Sequence, residues 1–271
     1  MSFDTKQFKR LERAGYDRIG PRYLAAAGAR DGIATALLEA AALAPGQRVL
    51  DLASGPGQLA HAAAERVGAD GLAIASDISL GQLACCPDLL RVAADGEALP
   101  FADASVDRVL CGLGLMFFPD ADLALRECRR VLRTRGRMAL SVWGPATGVP
   151  LVECALACMR RLLPPPKVAR PSIFRFGDAD ELNRRLASAD FQVGEIRSHH
   201  LTLEFADAAD YWQAFLDLAG GAAESLSRLA PEKQQALAAS VGGELAPYAN
   251  GAGYRLTSTV LIATATCGRK P

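Results

Sequence analysis

The sequence has no excess of either charge: Lys and Arg number 30, and Asp and Glu number 30. A chain balanced in this way carries no electrostatic footprint for nucleic acid or for an anionic membrane. The one basic cluster, Lys6, Lys9, Arg10 and Arg13, is interleaved with Asp4 and Glu12 and reads as a solvated helix face. No apolar run is long enough to cross a bilayer as a helix. The opening stretch, MSFDTKQFKRLER, is charged throughout and lacks a signal-peptide core. Cysteines number seven, at 85, 86, 111, 128, 154, 158 and 267, with no matching pair of pairs. That excludes a structural zinc site and fits buried, reduced thiols. Histidine is scarce too: only His61, His199 and His200. His61 lies on a helix, and adjacent strand residues point to opposite faces, so at most one of His199 and His200 faces any given side. None identifies itself as a general base. These absences describe a soluble, cytoplasmic protein with no metal.

Half of the 271 residues are hydrophobic. That affords a sizeable core in one large domain, or in one domain with an elaboration. Residues 3 to 43 carry a helical apolar stripe (Leu37, Leu38, Ala41, Ala42) that ends at Pro45-Gly46, with a break between two helices expected at Gly20-Pro21. Strands are expected at 47–52, 71–76, 89–93, 106–111 and 137–143. Helices are expected at 58–67 and 122–132 between them. Strands alternating with helices predict an α/β, doubly wound parallel sheet. The rest is less regular. Helices are expected at 151–163, at 178–189 with Asp178 as N-cap, at 208–218 and at 231–246. Strands are expected at 191–205 and 254–267.

The stretch Val49 to Ala60, VLDLASGPGQLA, organises the chain. It reads as a buried strand containing Asp51, then a turn with Gly55 and Gly57, then a helix. Glycine admits a left-handed backbone and the close approach of a ligand, and open α/β sheets bind ligands at the carboxyl ends of their strands. GPGQLA fits the dinucleotide pattern G-x-G-x-x-A, and it equally fits D-x-x-x-G-x-G. Asp77, ending the second strand, could accept from a ribose diol in either case; its plainer role is a helix N-cap. Asp95-Gly96-Glu97, ending the third, separates the two. A carboxylate there can accept from an adenine amine. Three acidic residues at three successive strand ends suit an ammonium, a ribose and an adenine. They would repel a pyrophosphate, which favours helix N–H groups and positive charge.

With those residues in view, the chain resembles the class I S-adenosylmethionine-dependent methyltransferases, and among them the ubiquinone/menaquinone-biosynthesis type. The resemblance rests on VLDLASGPG, ASDIS, AADGEALPFADASVDRVL, GLGLMFFPDADLALRECRRVLRTRGRMALSVW and FRFGDADELNRRLASADF, in the family's order over roughly residues 45 to 195. It implies a Rossmann-like seven-stranded sheet with the last strand antiparallel and with helical cap insertions. It also implies S-adenosylmethionine as cofactor. Asp51 and the backbone at Ala53, Gly55 and Gly57 would hold the methionine part. Asp77 would bind the ribose and Ile78 would flank the adenine. Asp95, Gly96 and Glu97 would read its edge, and Cys111 would pass close to the cofactor. Tyr16 and Tyr23 match an N-terminal element that closes over the site. Three departures stand out: a short segment from Asp77 to Asp95, Gln82 where a methionine often packs on the adenine, and Met116 where histidine is frequent.

The expected organisation is an N-terminal helical lid over 1–44 and a methyltransferase domain over 45–271, with cap insertions at about 144–177 and 207–250. The insertions leave the sheet on the side of the strand carboxyl ends. Their apolar content, Trp212 and Phe215 included, points to an apolar or aromatic small-molecule acceptor, with Met116, Trp143 and Trp212 as candidate substrate contacts. The expected reaction is methyl transfer to O, N or C. An NAD(P)-dependent oxidoreductase and a non-catalytic binding protein on the same fold stay open as alternatives. Arsenite methylation through Cys85-Cys86 lacks the further cysteines a thiol site needs.

Overall fold

The computed structural model describes residues 4–166 and 168–268; the start of the expected N-terminal helix at residue 3 lies outside them. Strand β1 (Arg48–Leu52) is hydrogen-bonded in parallel to β2 (Leu72–Asp77) and to β4 (Val106–Gly112). Strand β3 (Leu90–Ala93) adds to β2, and β5 (Leu132–Trp143) adds to β4. Strand β7 (Gly253–Cys267) runs antiparallel between β5 and β6 (Phe191–Phe205). The order is β3-β2-β1-β4-β5-β7-β6, with a two-residue strand, Ala249–Asn250, folded back on the start of β7. This is the expected seven-stranded sheet with its last strand antiparallel.

Successive side chains of a strand point to opposite faces, and here both faces are covered. Val49, Ala73 and Leu110 pack into one apolar layer with helices α2 (Asp31–Ala41) and α3 (Gln58–Val67). Leu50, Leu52, Ile74 and Val109 pack into the other with α5 (Ala121–Val131) and α7 (Ala179–Ser188). Burial on both faces is why β1 reads as a near-continuous apolar run. Asp51 alternates with Leu50 and Leu52 and so lies on the α2–α3 face.

The expected helix break at Gly20-Pro21 does not occur. Helix α1 runs unbroken through Pro21, from Thr5 to Ala25, and the chain breaks instead at a single 3-10 turn, Ala27–Arg30. Proline removes one hydrogen bond and crowds the carbonyl four residues earlier, here that of Asp17. Packing offsets this. A Cβ on Gly81 would come within 2.6 Å of the Asp17 carbonyl oxygen, so helix α4 (Leu80–Leu83) sits directly on α1 there. Asp17 also binds the hydroxyl of Ser79 at 2.6 Å and the N–H of Gly81 at 2.8 Å. Helix α4 is only four residues long, in keeping with the short segment from Asp77 to Asp95.

The two insertions are helical. The first carries α6 (Pro150–Leu162); the second carries α8 (Ala208–Leu218), α9 (Gly220–Leu226) and α10 (Pro231–Ser240). Helix α9 is absent from the sequence expectation: a seven-residue segment opening on two glycines has little helix propensity of its own. Tyr211 pins α8 to α6, accepting from the Ala155 N–H and donating to the Leu151 carbonyl, both at 3.0 Å. Gly15 of α1 lies flush against Gly220 of α9, and a methyl group at either position would overlap the other backbone.

Candidate cofactor site

The carboxyl ends of β1, β2, β3 and β4 border a cleft of about 790 Å³, counted to its open mouth. A second arm of about 500 Å³ shares Tyr23, Ala53, Gly55, Gly112 and Leu113 with the first. The turn after β1 is wound left-handed at three positions: Ala53 (φ 54°), Gly55 (φ 55°) and Gly57 (φ 84°). Leu113, after β4, is left-handed too (φ 52°). Glycine takes this conformation freely, whereas alanine and leucine do so at a cost. Both strained residues, Ala53 and Leu113, line both arms. The two glycines have different work. Gly55 faces the cleft, its α-carbon hydrogen turned toward the Tyr23 ring. Gly57 faces inward, where a Cβ would come within 2.9 Å of Cys86 and Leu89.

Asp77 closes β2 with its carboxylate in the cleft wall. One oxygen accepts the Gly55 N–H at 2.9 Å and the other the Ser79 N–H at 2.8 Å. It therefore ties the glycine turn to β2. Ser79, accepting from the Gln82 N–H, is the N-cap of α4 instead. Burial pushes the Asp77 carboxyl above its ordinary range, partly countered by those N–H groups. Asp51 differs. Both its oxygens are buried and, among the described residues, lack a hydrogen-bonded partner of good geometry. Burial drives its carboxyl well above the ordinary range, opposed by the Ala60 N–H.

At the end of β3, one oxygen of Asp95 accepts the Glu97 N–H at 3.1 Å. The other receives the ammonium of Lys9 at 2.6 Å. Lys9 also binds Glu97 at 2.5 Å, and the remaining Glu97 oxygen accepts the Asp120 N–H at 2.8 Å. Burial pulls the Lys9 ammonium down, but its bonds to Asp95 and Glu97 outweigh this and its pKa lies above the usual lysine value.

Helix α1 roofs the first arm. Lys9, Glu12, Tyr16 and Tyr23 line it from positions i, i+3, i+7 and i+14, which fall on one helical face. The Tyr16 ring meets Tyr23 and Phe117 edge to face, with centroids 5.9 and 5.8 Å apart. Burial pushes the Tyr16 phenol well above its ordinary pKa. Burial also raises the Glu12 carboxyl, and the guanidinium of Arg170 opposes the rise. Further along α1, Arg18 pairs with Glu224 at 2.6 Å and Arg22 with Asp217 at 3.2 Å. The insertions thus clamp the roof from outside.

Of the residues singled out in the sequence, Tyr16, Tyr23, Ala53, Gly55, Asp77, Ile78, Asp95 and Gly96 line the first arm. Asp51 is buried within β1, Gly57 turns inward toward Cys86 and Leu89, and Glu97 shares the Lys9 ammonium with Asp95. Cys111 lies in the α5–α7 core layer, and its neighbour Gly112 takes its place at the wall. Met116 is buried in that same layer, Trp212 packs on Phe215 in the opposite layer, and Trp143 touches both. None of these three borders either arm, because large apolar side chains fill the core first. Lys9 corrects the solvated-face expectation: its side chain is 19% accessible, while Lys6, Arg10 and Arg13 are exposed. Projecting α1 through Tyr16 and Tyr23 would have placed Lys9 and Glu12 on the same stripe. Arg30, missed as well, lines the second arm, stacks on the Tyr23 ring at 4.0 Å and, among the described residues, has no carboxylate bound to it.

The methyltransferase domain family matches residues 50–140. The ubiquinone/menaquinone biosynthesis C-methyltransferase UbiE of Stenotrophomonas maltophilia (strain K279a) is 43% identical over 103 residues, 34% of this chain and 41% of that protein. The chain thus spans about two fifths of the length of the curated relatives it matches. Among solved structures, the YcgJ protein of Bacillus subtilis has a TM-score of 0.58 at 18% identity, covering 88% of this chain and 98% of that one. The phosphoethanolamine N-methyltransferase 2 of Haemonchus contortus, solved with S-adenosylhomocysteine, has a TM-score of 0.54 at 15% identity, covering 87% and 52%. Residues 50–140, from β1 into β5, thus match a methyltransferase domain, and the chain shares its Rossmann-like α/β fold with these solved structures.

Proposed function

We propose that this chain transfers a methyl group from S-adenosylmethionine to a small apolar or aromatic acceptor. The observation that carries this reading is the row of strand-end groups in one cleft. Asp77, Asp95 and Gly96 line the cleft beside the left-handed turn at Ala53 and Gly55; in this reading Asp77 takes the ribose, Asp95 and Gly96 the base edge, and the turn the chain between them. Ile78 and Phe118 flank the base position. Lys9, the one cation among the described residues that line the first arm, is already held by two carboxylates, so that arm favours a phosphate-free nucleoside. Arg30 stands in the second arm, facing the turn, where the methionine carboxylate would lie.

When bound, S-adenosylmethionine supplies an electrophilic methyl on a sulfonium with a good leaving group. The chain's own part is to hold the acceptor in line and keep water out. Tyr16, Tyr23 and Phe117 make a dry aromatic wall. Ile33, Ala34, Leu37, Leu59 and Leu113 give the second arm an apolar lining, which fits a flat, weakly polar acceptor. The quinone named for the UbiE relative is one member of that class. The family match ends at residue 140, before either insertion, so it supports the cofactor side of the assignment. In this reading residues 1–44 are a lid and the segments at about 144–177 and 207–250 are caps that hold it. The seven free cysteines fit a reducing, cytoplasmic setting.

Calorimetric titration with S-adenosylhomocysteine and with NADH tests the assignment. S-adenosylhomocysteine should bind and NADH should not. Asp77→Ala should weaken binding about 30-fold, the loss of a charge-assisted pair of hydrogen bonds. Binding of NADH alone, or an unchanged affinity in the variant, would overturn the reading.

A further inference from the structure

We propose that Lys9 is a latch: it holds α1 shut by occupying the carboxylate that the cofactor's base must use, and it hands that carboxylate over when the cofactor arrives. The inference rests on the function proposed above and adds to it the way the site is kept and opened.

The corner after β3 has four carboxylate oxygens. One oxygen of Asp95 is committed to the Glu97 N–H and one oxygen of Glu97 to the Asp120 N–H. Both are bonds to backbone N–H groups: the first shapes the turn, and the second ties it to the start of α5. The other two oxygens both go to the Lys9 ammonium. A base amine arriving beside Gly96 therefore finds the facing oxygen of Asp95 taken by a full positive charge 2.6 Å away. A neutral amine is the weaker donor of the two. It gains the oxygen only if the ammonium retains a second carboxylate, and Glu97 is that second carboxylate. Lys9 need not leave for water; it shifts from a shared position to one held by Glu97 alone.

The same contact governs the roof. Among the described residues, the other ion pairs from α1 to the rest of the chain, Glu12–Arg170, Arg18–Glu224 and Arg22–Asp217, run to the insertions. Lys9 makes the one ionic tie between α1 and the strand ends. It lies in the cleft wall. Loosening it frees the N-terminal part of the roof while the insertions keep hold of the remainder. Entry of the cofactor and release of the lid then become one exchange at Asp95.

The test is the association of S-adenosylhomocysteine, followed by stopped-flow intrinsic fluorescence and by calorimetry. It compares wild type, Lys9→Met, which keeps the stem and removes the charge, and Lys9→Arg, which keeps the charge. Lys9→Met should associate about fivefold faster and bind more tightly, the scale of one partly exposed ion pair. Lys9→Arg should stay close to wild type. Circular dichroism confirms that each variant is folded. An unchanged or slower association in folded Lys9→Met, or equal acceleration in Lys9→Arg, would overturn the latch while leaving the cofactor assignment standing. Absence of any binding by wild type would remove the assignment and the latch together.

Discussion

The sheet-end half of the molecule and its inserted half bear on the site in opposite ways. Residues 48–119 meet the cleft directly, with backbone turns and carboxylates fixed at the ends of parallel strands. Among the described residues of 144–250, none lines either arm of the cleft. They act on α1 instead, through Arg170, Asp217 and Glu224 and through the flush contact of Gly220 with Gly15. One half builds the cradle and the other holds the roof on it. A site made of strand ends needs little from the rest of the chain except a cover, and here the cover is built separately.

The comparison breaks most visibly at the roof. Gly15→Leu forces a side chain into the Gly220 backbone and should cost about 3 kcal/mol of stability, at the upper end for overpacking. It should also weaken S-adenosylhomocysteine binding, although no residue of the strand ends is altered. Thermal melts and calorimetry read both effects; a destabilised variant with unchanged affinity would uncouple roof from cradle.

A smaller effect sharpens the cradle side. Asp51 has a folded pKa raised well above its unfolded value because it is buried. Such a group contributes stability that is fully present below pH about 4 and is lost as pH rises through the folded pKa. Asparagine cannot ionise. Asp51→Asn should therefore gain on wild type by about 1 kcal/mol between pH 4 and pH 8, measured as the difference in Tm at the two pH values. A variant that loses ground as pH rises would mean that the carboxylate has a partner.

The cradle was legible in the sequence because its parts are local. The run VLDL, the glycines at 55 and 57 and the aspartates at 77 and 95 each follow from strand burial, turn geometry or the end of an apolar run. Their chain order places them side by side once the sheet is parallel. The roof was less legible because its parts are tertiary. Pro21 weakens a helix locally, and only the seating of Gly20 and Gly81 shows why α1 continues through it. Helix α9 owes its existence to α1, and the weak propensity of GGAAESL gives no sign of it. Lys9 sits in a row of basic residues that are otherwise solvated, so its role appears only when α1 is docked. Trp212 shows the converse: apolar bulk on a cap segment looks like a binding surface, yet its side chain packs on Phe215 in the core, and Met116, in the loop after β4, is buried in the opposite layer.

Hydrogen–deuterium exchange with and without S-adenosylhomocysteine tests the division most directly. The account predicts that the ligand slows exchange at residues 53–57, 94–97 and 112–114 and along α1 from Tyr16 onward, while the first turns of α1 around Lys9 gain no protection. Helices α6, α8 and α10 should remain as they were. Protection centred on those three helices, with the glycine turn and the β3 corner unchanged, would contradict it.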